Sequence, residues 1–350
     1  MAENGLQCLQ VGDQYSQRWN AFIVAHSADG GFLQSWQWGE FQKSLGNRIF
    51  RFAVVDGQGA LQAAALVIKN ELPFEYNYLY APRGPVMSGF DAKTFSCLRA
   101  GIDQAARDEK SFLVRFDPPW PASVNDHSSA GEDILRAANW RKGDYEIQPK
   151  CAFIIDLARP EEEILGEMKT KTRYNINLAQ RKGVHVRTSG ELADLEEFWT
   201  LTKQTAARDG FNTHAKEHYK KMLEIIGPSG ILQLYLAEYD GKVVAASLVS
   251  FFGTTATYLH GASSSLYRDV MAPYLVHWEA IRTASQLGYR QYDFGGVNGE
   301  TYRNPKWQGI TRFKIGFSNN SRPTEYMGSY EYIYNPVIFA AYKFVKQIRE

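Results

Sequence analysis

The sequence predicts an α+β chain in which two similar domains follow one another, and three observations carry that prediction. Residues 235–296 read as strand LYLAEY, an Asp240-Gly241 turn, strands VVAASLVSFF and TATYLHGASS, helix APYLVHWEAIRTASQLG and a short strand YRQYDF ending in Gly295-Gly296. Residues 51–119 give the same order: RFAVV, Asp56-Gly57, LQAAALVIK, YNYLYAPRGP, helix AKTFSCLRAGIDQAARDE, and FLVRFD ending in Pro118-Pro119. Ala64-Ala65-Leu66-Val67 falls on Ala246-Ser247-Leu248-Val249, and Asp117 on Asp293. A repeat this long denotes duplicated domains rather than a solenoid, and 350 residues suit two ordinary cores better than one.

The elements follow from local pattern. β-branched and aromatic enrichment around turn dipeptides marks the strands, and Leu275, Trp278 and Ile281 at helical spacing, closed by Gly288, mark the helix of the second repeat. Ahead of the first repeat, residues 12–26 and 36–46 read as helices, the second capped by Ser35 and carrying Trp36, Trp38 and Phe41. Two tryptophans so close could floor a binding cleft or pack between helix and sheet. In YLYAPRGPV, Arg83 stands between Pro82 and Gly84-Pro85, where a rigid and then permissive backbone presents a guanidinium to an anion or simply to solvent. Residues 118–149 are rich in proline, glycine and serine around one short helix, so the boundary falls near Lys150.

The second domain opens with CAFIIDL and a helix in MKTKTRYNINLAQRKGV, ended by Gly183. Lys169, Lys171, Arg173, Arg181 and Lys182 lie on it with no acid between Lys169 and Lys182, a basic run of the kind that meets phosphates. Helices at 190–208 and 216–226 flank DGFNTH, a loop of turn formers suited to holding a substrate. Lys314 reads as a lysine in an apolar strand between Phe313 and Ile315, where a cleft-facing ammonium would stabilise developing negative charge. The last helix has Asn335 as N-cap, Pro336 in its first turn, and Val337, Ala341, Phe344 and Ile348 along one stripe. That stripe would dock on a core, while Phe339 and Tyr342 leave room for contact with a membrane surface.

Lys+Arg 39 against Asp+Glu 38 excludes a wholesale basic surface, so any bound anion must meet a local patch. Cys8, Cys97 and Cys151 are odd in number and lack CxxC spacing, which suggests neither a disulfide framework nor a metal site and fits a reducing compartment. The N-terminus lacks the charged and apolar regions of a secretory signal, and no run reaches membrane-spanning length, so a cytoplasmic protein is expected.

A sheet that starts antiparallel, a helix after its third or fourth strand and a splayed end together resemble the Gcn5-related acyltransferase fold. In that superfamily a Gln/Arg-x-x-Gly-x-Gly/Ala loop holds the pyrophosphate of acyl coenzyme A on backbone amides. Here the place is taken by Arg268, Asp269, Val270, Met271, Ala272 and Pro273, without the small residues and with a proline where an amide is needed, so coenzyme A is not expected.

KTKTRYNI, TAARDGFNTH, YLHGASS, MAPYLVHWEAI, YDFGGV and ITRFKIGF, with QSWQWGEFQ, YAPRGPV and VRFDP in the first half, resemble the Fem family of peptidoglycan bridge aminoacyltransferases over nearly the whole chain. The resemblance implies tandem Gcn5-related domains, residues 1–149 with 335–350 returning to the first and 150–334 forming the second. It is to the compact type without a coiled-coil arm. It also implies an aminoacyl-tRNA donor, an acceptor amine on a lipid-linked or UDP-linked muropeptide, no cofactor, a monomer, and a cytoplasmic enzyme that touches the inner membrane face.

By the same resemblance Phe313 and Lys314 fall in the catalytic cleft, Asp117 is a candidate to orient or deprotonate the amine, and Thr213, Tyr219 and Tyr258 line the acceptor channel. Ala215 stands where the family can carry an arginine, with Lys216 next. An early lysine falls on Glu40 or Gln42, with Lys43 nearby, and His260 replaces a tyrosine. Trp38, Arg83, Lys43, Lys216 and His260 complete the expected substrate contacts, and the basic run at 169–182 the tRNA contacts. Three rivals are a coenzyme A enzyme, a Fem-like enzyme acting on an exopolysaccharide or protein-terminus amine, and a non-catalytic lipid- or RNA-binding descendant.

Overall fold

The computed structural model describes residues 5–122 and 129–349, with backbone alone for 347–349. The chain divides into two compact units, Met1–Lys150 with Glu325–Glu350, and Cys151–Thr324.

In the first unit β1 (Gln7–Gln10), α1 (Ser16–His26) and α2 (Trp36–Ser44) precede β2 (Ile49–Val55), β3 (Leu61–Glu71), β4 (Asn77–Ala81) and β5 (Val86–Met87). Next come α3 (Ala92–Asp108), β6 (Leu113–Phe116), α4 (Ala130–Ala137) and β7 (Arg141–Lys142). The helix expected from residue 12 begins instead as a 3-10 turn over Asp13–Tyr15. α3 starts where the Asp91 side chain accepts a hydrogen bond from the Thr94 amide, and it lays Phe95, Leu98 and Ile102 on the sheet. Each such side chain contributes roughly 1.5–3 kcal/mol through burial.

The second unit comprises β8 (Cys151–Asp156), α5 (Glu161–Glu167), α6 (Thr170–Arg181), β9 (His185–Ser189), α7 (Leu192–Asp209) and α8 (Lys216–Ile225). It continues with β10 (Leu232–Tyr239), β11 (Lys242–Phe252), β12 (Thr255–Ser263), α9 (Ala272–Gln286), β13 (Gln291–Gly296), α10 (Gln308–Lys314) and β14 (Pro323–Glu325). The chain then returns to the first unit with β15 (Tyr330–Ile333) and α11 (Pro336–Arg349).

The two sheets share one topology. The first runs β1-β2-β3-β4-β6-β15-β7, with β5 paired to β3, and the second runs β9-β10-β11-β12-β13-β8-β14. In each, the strand after the long helix lies parallel to a strand that precedes that helix, β6 beside β4 and β13 beside β12. The fold is therefore the α+β, duplicated acyltransferase-like architecture that the repeat predicts.

The return to the first unit is more than the helix expected from residue 335, because β15 pairs antiparallel with β6. Arg115 on β6 and Glu331 on β15 are fully buried and ion-paired there. α11 corrects a second expectation. Asn335 does cap it, its side chain accepting from the Val337 and Ile338 amides at 3.1 Å, but the face that docks carries Ile338, Phe339 and Tyr342, against Phe112, Leu113 and Ile333. The Val337, Ala341 and Phe344 stripe points away, with Val337 79% and Phe344 65% exposed, and the Ile348 side chain lies outside the described residues. The helix has two apolar faces, and the one with the larger aromatic surface is buried, Tyr342 packing on Phe112 at 5.5 Å and on Tyr78 at 6.0 Å.

Replacing Arg115 leaves the buried Glu331 carboxylate with only the half-exposed Arg141, 3.5 Å away, as counter-charge. Arg115→Met should lower the stability measured by urea unfolding by about 3–5 kcal/mol, and the double variant Arg115→Met/Glu331→Leu should recover most of that loss.

Candidate active site

The site in the second unit starts from two irregularities of β12. Against β11 the register slips between Leu248 and Val249, so that His260 opposes Leu248, Tyr258 opposes Val249 and Leu259 is the extra residue of a bulge. Tyr258 consequently turns toward α9, its ring 4.6 Å from His277, whereas His260 turns toward α8, 5.1 Å from the Tyr219 ring. On its other side β12 pairs with β13 from Thr255 and Gln291 as far as Thr257 and Asp293, and the two strands part beyond that rung. β13 is itself irregular there, with Gly295 at φ 68°.

Lys314 fills the gap so opened. It is the last residue of α10 rather than part of a strand, which corrects the sequence expectation. The reason is legible in the aromatics: Phe313 and Phe317, four apart, share one helical face, with Phe313 packed on Tyr274 at 4.9 Å and both rings packed on His277 at 5.4 and 5.6 Å. Gly316 lets the turn close, because a β-carbon there would lie 2.5 Å from Thr172 Oγ1. The Lys314 ammonium is buried, donates to the Gly296 carbonyl at 2.9 Å and lies 5.5 Å from the centre of the Tyr258 ring. Burial pulls its pKa down from 10.5 to about 8, against the opposing pull of the Asp293 charge. His277 is held neutral, its pKa lowered to about 3 by burial and by the Lys314 charge, and its Nδ1 is 3.0 Å from the Tyr292 hydroxyl. Sequence reasoning missed His277; the available signal was a histidine beside Trp278 on the buried face of an apolar helix.

A second cluster surrounds the expected acceptor residues. Tyr219 is buried on α8 against Phe198 at 5.2 Å, with His214, His218 and His260 about it. His214 and His218 stack at 3.9 Å. Burial lowers the pKa of all three histidines, with His218 at about 4 and His260 at about 3, and their mutual repulsion adds to the shift of these two. The wall is thus aromatic and uncharged near neutral pH. Thr213 is half-buried at its edge, and Lys216 is ion-paired with Glu196.

Among the described residues no group of three or more His, Cys, Asp or Glu side chains could hold a metal. Ahead of α9, Val270 and Met271 donate their amides to the carbonyls of Tyr267 and Arg268, and Pro273 has no amide to offer.

In the first unit the expected residues hold structure. Asp117 is buried, accepting from the Tyr80 hydroxyl at 2.5 Å and from the amides of Arg83 at 2.6 Å and Gln148 at 3.2 Å. Burial raises its pKa to about 6 against the pull of Arg83 and those hydrogen bonds. Arg83 does not face outward for an anion: at φ 52° it turns in to donate to the Pro149 carbonyl at 2.8 Å, lies 3.5 Å from Asp29 and covers the Tyr326 ring at 4.6 Å. Gln34 secures the same loop, donating to the Pro82 and Leu66 carbonyls. Trp38 is half-buried against Phe32 and Phe41, and Lys43 is paired with Glu40.

The basic run is thinner than its sequence suggests. Lys182 pairs with Asp269, and Arg173 donates to the carbonyls of Gly166 and Met168, which leaves Lys169, Lys171 and Arg181 as the exposed cations on α6 and its N-cap.

A duplicated sheet of this kind, with a buried ammonium at the parting of two strands, offers a preorganised positive charge of the sort that acyl transfer uses. A profile of the FemAB family matches residues 15–242 and 231–347, and the chain belongs to that family. Lipid II:glycine glycyltransferase of Staphylococcus epidermidis is 22% identical, covering 95% of this chain and 94% of its own length. UDP-N-acetylmuramoylpentapeptide-lysine N(6)-alanyltransferase of Weissella viridescens is 26% identical over 81% of this chain and 84% of its own length. The crystal structure of FemX superposes with a TM-score of 0.83 at 21% identity, over 96% of this chain and 99% of that one. A tandem Gcn5-related protein from the clavulanic acid pathway gives 0.61 at 10% identity, over 95% and 99%. With this family the protein is an aminoacyltransferase.

Because the fold holds the Lys314 proton less tightly than the unfolded chain does, raising the pH from about 8 to 10.5 favours the folded state. Wild-type stability relative to Lys314→Met should therefore rise across that window, by up to about 3 kcal/mol at 1.36 kcal/mol per pKa unit, in denaturant titrations run at each pH.

Proposed function

We propose that the protein transfers an amino acid from aminoacyl-tRNA to the side-chain amine of a peptidoglycan precursor stem peptide, working in the cytoplasm and without a cofactor. The observation that carries the reading is the Lys314 ammonium, held at the strand gap by the Gly296 carbonyl and partly stripped of water. An aminoacyl ester is already activated. The neutral acceptor amine attacks its carbonyl carbon, the carbonyl oxygen becomes an oxyanion, and collapse breaks the ester bond, releasing the terminal ribose hydroxyl while the amine loses its proton to form the amide. Such a reaction needs alignment of the two reactants and a preorganised positive charge for the oxyanion more than a strong base. Lys314 supplies that charge. The uncharged aromatic wall of Tyr219 and His260 suits a stem peptide better than a free anion. The amides ahead of α9 are engaged in their own turn, which supports a donor other than coenzyme A. Lys169, Lys171 and Arg181 supply cations for the tRNA backbone.

One observation favours a second reading, a Fem-like transfer to an amine outside peptidoglycan: Lys43 and Lys216, which the resemblance places among the substrate contacts, are paired with Glu40 and Glu196. Incubating the protein with mixed aminoacyl-tRNA and either lipid-linked or nucleotide-linked precursor separates the readings, since the first predicts a mass gain of one amino-acid residue that ribonuclease pretreatment abolishes. No gain on either precursor, with gain on another amine, would favour the second.

Lys314→Met keeps the apolar stem and deletes the charge, so transfer should fall on the order of a hundredfold while folding survives. Wild-type kcat should decline as the pH passes about 8, where the ammonium deprotonates. Reversing Lys169, Lys171 and Arg181 to Glu should weaken tRNA binding at low salt by about tenfold or more and flatten its salt dependence, with little change in affinity for the muropeptide.

A further inference from the structure

The apolar surface that α11 leaves uncovered has a neighbour. The hairpin between β3 and β4 turns at Pro73, Phe74 and Glu75, with the Leu72 amide donating to the Tyr76 carbonyl at 2.8 Å across its base. Phe74 and Glu75 sit at φ 63° and 61°, a left-handed conformation that costs free energy in residues other than glycine. The result is a phenylalanine 90% exposed at the tip, with Tyr76 45% exposed behind it. Leu72 and Tyr78, on either side of the turn, pack into the same small cluster that seats α11. The hairpin tip and the outward stripe of α11, where Val337, Phe344 and Val345 are 79%, 65% and 49% exposed, are thus anchored to one piece of core.

Charge decides what such a surface fits. From Pro336 to Lys346, the part of the helix whose side chains are described, it carries Lys343 and Lys346 and no acid. β7, whose Arg141 lies over the Phe339 ring at 4.3 Å, adds Arg141 and Lys142, both exposed. Asp144, paired with Lys343 at 2.7 Å, Glu331, 3.5 Å from Arg141, and Glu75 at the hairpin tip temper this charge, and Lys346 lies over the Tyr145 ring. A second copy of the chain would oppose cation to cation here. An anionic lipid surface accepts the cations at its headgroups and the apolar side chains just beneath them.

We propose that this face, Phe74 at the hairpin tip together with Val337, Phe344 and Val345 on α11, docks the protein on an anionic phospholipid bilayer. The inference goes beyond the proposed reaction and does not depend on the donor or on Lys314. Peripheral docking of this kind leaves the chain outside the bilayer core, consistent with no helix among the described residues being long and apolar enough to cross a membrane.

The test is co-sedimentation of the full chain with vesicles of phosphatidylglycerol and phosphatidylcholine, with vesicles of phosphatidylcholine alone, and with the mixed vesicles in about 0.5 M NaCl, where screening shortens the reach of surface charge. Wild-type protein should pellet with the mixed vesicles and much less in the other two conditions. Phe74→Ser/Phe344→Ser, with an unchanged melting midpoint, should lose at least about tenfold in partitioning, since two aromatic side chains leave the interface. Its transfer to a water-soluble stem peptide should match wild type. The proposal is overturned if wild-type protein stays in the supernatant with the mixed vesicles, if the double variant pellets equally well, or if light scattering shows a wild-type dimer that the variant dissolves while neither binds vesicles. Absence of any aminoacyl transfer by wild type would instead sink the proposed reaction and leave the vesicle result standing.

Discussion

An ammonium group taken out of water must find a hydrogen-bond acceptor or lose its proton, and the second unit is arranged around that constraint at Lys314. The gap that receives it exists because β12 and β13 stop pairing after Thr257 and Asp293, and its walls exist because a bulge at Leu259 sends Tyr258 and His260 to opposite faces. With the Gly296 carbonyl as acceptor and Asp293 nearby, the charge persists at neutral pH in spite of burial. His277, buried beside it, cannot take a second positive charge and stays a neutral packing partner.

The first unit has the same sheet topology and uses the corresponding place differently. Where β12 bulges, the chain after β4 leaves the sheet at Pro82 through Pro85 and rejoins it as β5. Asp117 and Gln34 fasten that excursion, and Arg83 is spent on Asp29, Pro149 and Tyr326. Duplication has therefore given two copies of one frame, with an open strand gap in the second copy and a tightly bonded loop at the corresponding place in the first.

The repeat of strand, turn and helix is legible in the sequence because alternation and turn dipeptides are local signals, and so is the cap at Asn335, whereas YNYLYAPRGP reads as one strand although β4 ends at Ala81. The strand gap is not legible, since it depends on where pairing between distant segments ends. Lys314 stands out in the sequence as a lysine among apolar residues, but its secondary structure does not, because three residues of apolar-basic-apolar alternation mask the four-residue spacing of Phe313 and Phe317. The stripe of α11 was misassigned for a related reason, as periodicity finds apolar faces without ranking two on one helix. Ion pairs such as Lys182 with Asp269 lie beyond any window, so the basic run read from sequence overstated its free charge.

Whether the Lys314 ammonium meets the reacting carbonyl is tested most directly by a crystal structure with a stable donor analogue, an aminoacyl amide of 3′-amino-adenosine. The carbonyl oxygen should lie within hydrogen-bonding distance of Lys314 Nζ, about 3 Å, in the gap between β12 and β13. An analogue bound with its carbonyl elsewhere, and bound equally well by Lys314→Met, would contradict that contact.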